Sequence, residues 1–360
     1  MKQTFLILCF FALIQPLFAE KKDWLIDGSP YKTEANLSSD KKQIELTNGL
    51  LRRTFSLTPN GATIALDNLM TGQNELRAVR PEAVLVINGK EYPVGGLEGQ
   101  PVHNFLTKDF LSDMQLCDSA FVLADYTVGE TKERFPWKPN ETWISNKYPW
   151  PAPGKRITFT YKAPRKIADE CKGLTVRIVY ELYDGAPILS KWIEIDNKEQ
   201  KAVTLDSFKS EVLALVETAP KVHYGEPHEV RMMAQEPGHY TKDYRKKPVQ
   251  TDAPRDYIDR FTQLFVVTDY AMGGDMEAMK DNPAVRWVFD HPEYEFTGIR
   301  YYGQYKPARL EVTPLLGPAE KIAPGESFTS CRAFEMLRDA TDRERRGLAE
   351  CRFWRMMAPW

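Results

Sequence analysis

Residues 174–216 read LTVRIVYELYDGAPILSKWIEIDNKEQKAVTLDSFKSEVLALV, and they decide the fold. Val176, Ile178, Tyr180 and Leu182 alternate with Thr175, Arg177, Val179 and Glu181. Period-two alternation places one set of side chains on a core face and the other on the opposite face of a strand. Asp184-Gly185 turns the chain, and Ile188 to Ile195 returns as a second strand. Asn197 to Gln200 turns again, and Val203 to Val216 follows as a third strand with a break. The stretch predicts a three-stranded antiparallel meander of long strands.

The same grammar runs outward in both directions. Asn48-Gly49 separates the alternating runs 43–47 and 51–57, and Asn88-Gly89 separates 83–87 from 92–94. Asn-Gly between two such runs is a strong hairpin signal, because the turn needs positive φ. Further strands are expected at Arg156–Tyr161, Leu264–Thr268, Arg309–Val312 and Phe328–Leu337, with a type II turn at Pro324-Gly325. The chain carries 25 prolines and 21 glycines, enough turns to join many strands without helices. No alternation of strand and helix occurs within residues 20–338, which disfavours a nucleotide-binding or barrel architecture there. The expectation is an all-β chain, a large antiparallel sandwich.

One helix is expected, at the C-terminal end. Thr341-Asp342-Arg343-Glu344 has the form of a capping box, and residues 342–357 follow with apolar faces at Leu348, Cys351 and Met356, and at Phe353 and Met357. So much apolar surface calls for a packing partner. Deleting 342–360 is expected to improve solubility; a loss of solubility would mean that the helix packs back on the sandwich.

The first 19 residues read as an export signal. Met1-Lys2 is positive, Phe5 to Ile14 is apolar, and Leu17-Phe18-Ala19 offers a small residue at a cleavage point. The apolar run is too short to span a bilayer, so no membrane attachment is expected after cleavage, and the destination is secreted or periplasmic. Export permits disulfides. Cys117, Cys171, Cys331 and Cys351 remain after cleavage and allow three pairings, besides unpaired thiols. Asn36-Leu37-Ser38 and Asn140-Glu141-Thr142 match glycosylation sequons, which matter only in a eukaryotic secretory pathway.

Composition narrows the function. The 360 residues are 42% hydrophobic and 27% charged, which excludes a disordered or polytopic membrane protein. Lys+Arg 48 against Asp+Glu 50 gives a net charge of −2, so no nucleic-acid partner is expected. No phosphate-binding glycine loop or nucleophile elbow occurs, and no cofactor is expected. His223 and His228 cluster with Glu226 and Glu229, but Gly225 and Pro227 exclude the one-helix geometry of a zinc site. No metal site is expected.

The loop Phe135–Lys155 is the most suggestive stretch. It holds Trp137, Trp143, Tyr148 and Trp150 among five prolines, Pro136, Pro139, Pro149, Pro151 and Pro153. Stiffened loops present flat rings to sugars, to a protein interface, or to the end of the sandwich itself. Asp269, beside Tyr270 at a strand end, and Asp275 are the carboxylates placed to face a cleft or to close turns.

Several ordered segments together resemble a known family. They are Leu46 to Phe55, Ala65 to Gly72, Val94 to Gln100, Tyr183 to Trp192 and Asp339 to Arg346. They resemble the N-terminal half of bacterial α-galactosidase-like (melibiase-like) glycoside hydrolases, over most of residues 24–360. The resemblance implies a galactose-mutarotase-like β-supersandwich over 20–338. Residues 339–360 would be a helical connector leading to a (β/α)₈ barrel that carries two catalytic aspartates. Such a barrel needs about 250 residues. Only 22 follow Arg338, so the aspartates have no matching position, and no catalytic residue is carried over. What the resemblance implies is a scaffold or carbohydrate-recognition domain for a galactoside-like sugar, with a second copy or a barrel domain as partner. A stand-alone sugar-binding protein and an aldose-epimerase-like enzyme are the alternatives. The epimerase would need a histidine and a carboxylate converging on one sugar ring.

Overall fold

A computed structural model of the chain describes residues 22–101, 106–138, 149–163, 166–167, 169–198, 201–215, 264–269, 284–289, 308–314, 317–340 and 342–357. The strands in chain order are β1 (Glu34–Leu37), β2 (Gln43–Thr47), β3 (Leu51–Ser56), β4 (Ala62–Asn68), β5 (Gln73–Asn74), β6 (Leu76–Ala78) and β7 (Ala83–Ile87). They continue with β8 (Lys90–Val94), β9 (Val122–Glu130), β10 (Gly154–Lys162), β11 (Leu174–Tyr183), β12 (Ile188–Asn197), β13 (Val203–Lys209) and β14 (Glu211–Leu215). The last are β15 (Leu264–Thr268), β16 (Val285–Phe289), β17 (Ala308–Val312), β18 (Glu320–Ile322), β19 (Ser327–Thr329) and β20 (Ala333–Leu337). Two helices accompany them among the described residues, α1 (Lys108–Asp113) and α2 (Arg343–Met357).

Every ladder between these strands is antiparallel. They form four sheets, in the orders β1-β2-β3-β4-β5, β15-β20-β12-β11-β10-β9 with β19 also on β12, β18-β13-β7-β8, and β16-β17-β14-β6. One apolar core joins all four: Phe55 and Leu66, Phe159 and Ile178, Leu85 and Leu205, and Leu213 and Leu310 belong to it. The all-β antiparallel sandwich is therefore the fold. The turns follow their chemistry. Asn88 and Gly89 both take positive φ, at 50° and 76°, as the mirror-image hairpin turn between β7 and β8 requires.

The first two strands of the expected meander pair in register over Leu174–Leu182 and Leu189–Asn197. The third does not join them. β13 pairs with β7 and β18, and β14 pairs with β17 and β6, with the break at Ser210. The free edge of β12 is taken instead by β19 and β20, which arrive from 130 residues later. A core needs a covering layer, and β13 and β14 supply it by placing Leu205, Phe208, Leu213 and Leu215 on the opposite wall. Local alternation fixes which face of a strand is apolar but not which neighbour it takes.

The β11–β12 hairpin shows why a second cover is needed. At its open end burial alternates, while the end near the turn is buried on both faces. There Leu182 and Leu189 face the main core, while Tyr183, Ala186 and Ile188 face a second cluster with Trp24, Phe334, Phe353, Met356 and Met357. Helix α2 thus packs back onto the sandwich, which removes the reason to expect better solubility on deleting 342–360. Its N-terminus is capped by Asp342, whose Oδ1 accepts from the Arg345 amide at 2.8 Å. The cap expected at Thr341 lies outside the described residues.

Cys117, Cys171, Cys331 and Cys351 are all free thiols. Burial, with the Asp269 carboxylate beside it, pushes the Cys331 thiol up to about 12. No helix among the described residues is long and apolar enough to cross a membrane.

Candidate functional site

Two clusters of titratable groups stand out, and burial separates their roles. The first lies between the sheets. Arg53 on β3 donates to Glu211 on β14 at 3.0 Å and to Glu335 on β20 at 3.2 Å. Lys191 on β12 donates to Glu211 at 2.8 Å, and the Tyr180 hydroxyl donates to Glu82. All six residues are fully buried, so no substrate reaches them. Burial and the neighbouring Glu211 raise Glu335 well above the usual carboxyl range. Burial opposes ionisation of Glu211, but Arg53 and Lys191 outweigh it and hold its carboxyl low. This cluster is structural.

The second cluster opens to the surface at the turn end of β11, against the last turn of α2. It is a cleft of about 240 Å³, mouth included, lined by Lys132, Arg134, Trp150, Glu181, Tyr183 and Arg332, with Met356 and Met357 on one wall. Its inner part admits little more than a water-sized group. Besides α2, four segments build it. The chain after β9 brings Lys132 and Arg134. The start of the strand preceding the β11 hairpin is preceded by Trp150, Pro151 and Ala152. β11 contributes Glu181 and Tyr183, and the break between β19 and β20 contributes Arg332.

Trp150 is held on three sides. Its ring meets Phe135 at 5.2 Å and Trp137 edge-on at 5.8 Å, and its Nε1 donates to the Phe135 carbonyl at 3.1 Å. The Arg134 guanidinium lies 5.5 Å from the Trp150 ring centre and 4.8 Å from that of Phe334. Rings and cation attract through the ring quadrupole. Arg134 also donates to Asp269 Oδ2 at 3.2 Å and to the Met357 carbonyl. Asp269 Oδ1 accepts from the Arg332 amide at 2.6 Å, and so fixes the segment that carries Arg332.

The floor is polar. Glu181 accepts from Arg156 Nε and Nη2 at 2.9 and 2.6 Å, from the Lys132 amide at 3.0 Å and from the Tyr183 hydroxyl at 3.0 Å. Burial, reinforced by Glu181, raises the Tyr183 hydroxyl far above its usual range, so it remains a donor. Burial and the nearby Arg134 lower Arg332 from the ordinary guanidinium value, against the pull of Tyr183 and Glu181.

Of the residues expected from sequence, the structure brings Trp137, Trp150 and Asp269 to one place. Trp143, Tyr148, Tyr270 and Asp275 lie outside the described residues, as do all five histidines. Among the described residues no group of three His, Cys, Asp or Glu side chains is placed to hold a metal ion. Sequence reasoning missed Arg134, Glu181, Tyr183 and Arg332. Arg134 had a signal, since it adjoins Phe135-Pro136-Trp137. Arg332 had none, because its place depends on the interruption between β19 and β20.

No family model and no curated protein sequence matches the chain. Among solved structures it is similar to an α-galactosidase from Lactobacillus brevis, with a TM-score of 0.43 and 9% identity over 89% of this chain and 42% of that one. It is similar to the GH36 α-galactosidase AgaB from Geobacillus stearothermophilus, with a TM-score of 0.38 and 11% identity over 85% of this chain and 41% of that one. A TPR-domain containing protein from Parabacteroides distasonis is similar with a TM-score of 0.36 and 12% identity, over 83% of this chain and 47% of that one. The chain spans less than half the length of each. What the cleft can bind follows from its own residues: a braced aromatic face, a buried carboxylate with its donors, and guanidinium groups.

Proposed function

We propose that the chain is a carbohydrate-recognition and scaffold domain, without catalytic residues of its own, in an exported glycoside hydrolase of α-galactosidase type. The observation that carries this reading is the Trp150 face, braced by Phe135, Trp137 and Arg134 at the rim of a polar cleft. A sugar presents an apolar C–H face to such a ring and its hydroxyls to neighbouring donors and acceptors. The five sequence segments that resemble α-galactosidase-like hydrolases support a galactoside-like ligand, and the N-terminal signal supports a secreted or periplasmic site of action.

Titration calorimetry of the purified chain with galactosides tests it. Binding in the millimolar range is expected, with Trp150→Ala weakening it about tenfold, some 1.4 kcal/mol, while circular dichroism stays unchanged. Galactoside affinity that is absent, or indifferent to Trp150→Ala, would refute the reading.

A second reading is assembly with another copy of the chain. It is favoured by the outer face of α2, where Leu348 is 62% and Trp354 42% exposed. Light scattering that gives a monomer mass across concentration would remove it.

A further inference from the structure

We infer that the cleft takes the carboxylate of an acidic sugar, a hexuronate unit whose ring stacks at the Trp150 rim. This inference rests on the carbohydrate reading of the same cleft and narrows its ligand.

The argument starts from Arg332. Its side chain is only 13% exposed and its guanidinium lies 3.8 Å from the Trp192 ring centre. A guanidinium has five N–H donors in a fixed fork. Among the described residues one of them finds a side-chain acceptor, from Nη1 to Glu181 Oε2 at 3.3 Å. Glu181 is already matched at shorter range by Arg156, which approaches it with two nitrogens at 2.9 and 2.6 Å. Arg156 therefore neutralises Glu181, and Asp269 neutralises Arg134. The charges around the cleft are then Lys132, Arg134, Arg156 and Arg332 against Glu181 and Asp269. Among the described residues Arg332 shares its one carboxylate, Glu181, with Arg156, and a nearly buried cation with donors left over gains from an anion that completes it. Burial is the main cause that lowers the proton affinity of Arg332, and Arg134 adds to it.

Shape selects the anion. The inner space suits one oxygen of a ligand, not a whole sugar ring. A planar carboxylate matches the guanidinium fork, while Trp150, Met356 and Met357 leave an apolar rim for the C–H face of the ring that carries it.

The test compares four ligands on the full chain by calorimetry: galacturonate, its methyl ester, galactose and acetate. Galacturonate is expected to bind about tenfold more tightly than galactose or the ester, equivalent to 1.4 kcal/mol. Arg332→Leu should erase that difference, so that galacturonate binds no more tightly than galactose. Arg332→Lys, which keeps the charge but not the fork, should retain part of it and covers the case in which the leucine variant fails to fold. Trp150→Ala should weaken galacturonate and galactose alike. Equal affinity for galacturonate and galactose overturns the acidic-sugar inference while leaving the carbohydrate reading intact. Acetate binding as tightly as galacturonate overturns it in favour of a bare carboxylate site. No binding by any of the four overturns both.

Discussion

Asn48 shows how much one side chain can fix. Its amide nitrogen donates to the Tyr183 and Ala186 carbonyls at 2.8 and 2.7 Å, and its Oδ1 accepts from the Leu50 and Leu51 amides at 3.0 and 3.1 Å. One turn residue thus ties the β2–β3 hairpin to the β11–β12 hairpin. Glu75 is the opposite case. It is buried with Oε1 unpartnered, and burial pushes its carboxyl from 4.5 up to about 7, with the Asn68 amide opposing. Between those two values the unfolded chain releases a proton that the folded chain keeps, so stability falls as pH rises through that window. The contribution is about 3 kcal/mol at full extent, lost as pH rises through about 7. Glu75→Gln should flatten this dependence and be more stable than the parent at pH 8, as judged by urea denaturation at pH 5 and pH 8. An unchanged slope between the two would count against it.

At the scale of elements, the terminal helix and the last strands matter most. Sequence predicts one strand over Phe328–Leu337, but the structure divides it into β19 and β20. The Ser330 side chain accepts from the Ile193 amide at 2.9 Å, holding the interruption against β12 and leaving Arg332 free to turn into the cleft. Helix α2 then covers the outer face of β20. Phe353 meets Phe265 and Phe334 edge-on at 5.3 and 6.0 Å, and it is fully buried. Phe353→Ala should cost about 3 to 4 kcal/mol, the usual loss for a buried ring that leaves a cavity. A loss below about 1 kcal/mol in chemical denaturation would mean that α2 is detached in solution.

For the whole molecule, the charged cluster between the sheets is the test of architecture. Arg53, Lys191, Glu211 and Glu335 come from four strands in three sheets, and they meet only when those sheets close. Glu211→Gln removes a carboxylate that answers two buried cations and should cost about 3 kcal/mol or more. Glu335→Gln replaces a group that burial and Glu211 hold toward the neutral form, and it should cost less than Glu211→Gln at pH 7. Urea midpoints measured side by side decide this, and equal losses in both variants would contradict the protonation difference between the two carboxyls.

The sequence by itself determined the all-β class, the hairpin turns at Asn48-Gly49, Asn88-Gly89 and Asp184-Gly185, and the strand faces. These are local properties, set by side-chain alternation and by the backbone angles that Asn, Asp and Gly tolerate. It also singled out Trp137, Trp150 and Asp269, because rings in a proline-stiffened loop and a carboxylate at a strand end are visible in isolation. Only the tertiary structure decided that β13 leaves its neighbour for another sheet, that α2 folds back, and that Arg134 and Arg332 share a cleft. Strand pairing and site assembly depend on contacts between residues more than a hundred positions apart, and no local pattern encodes which buried surface will find which partner.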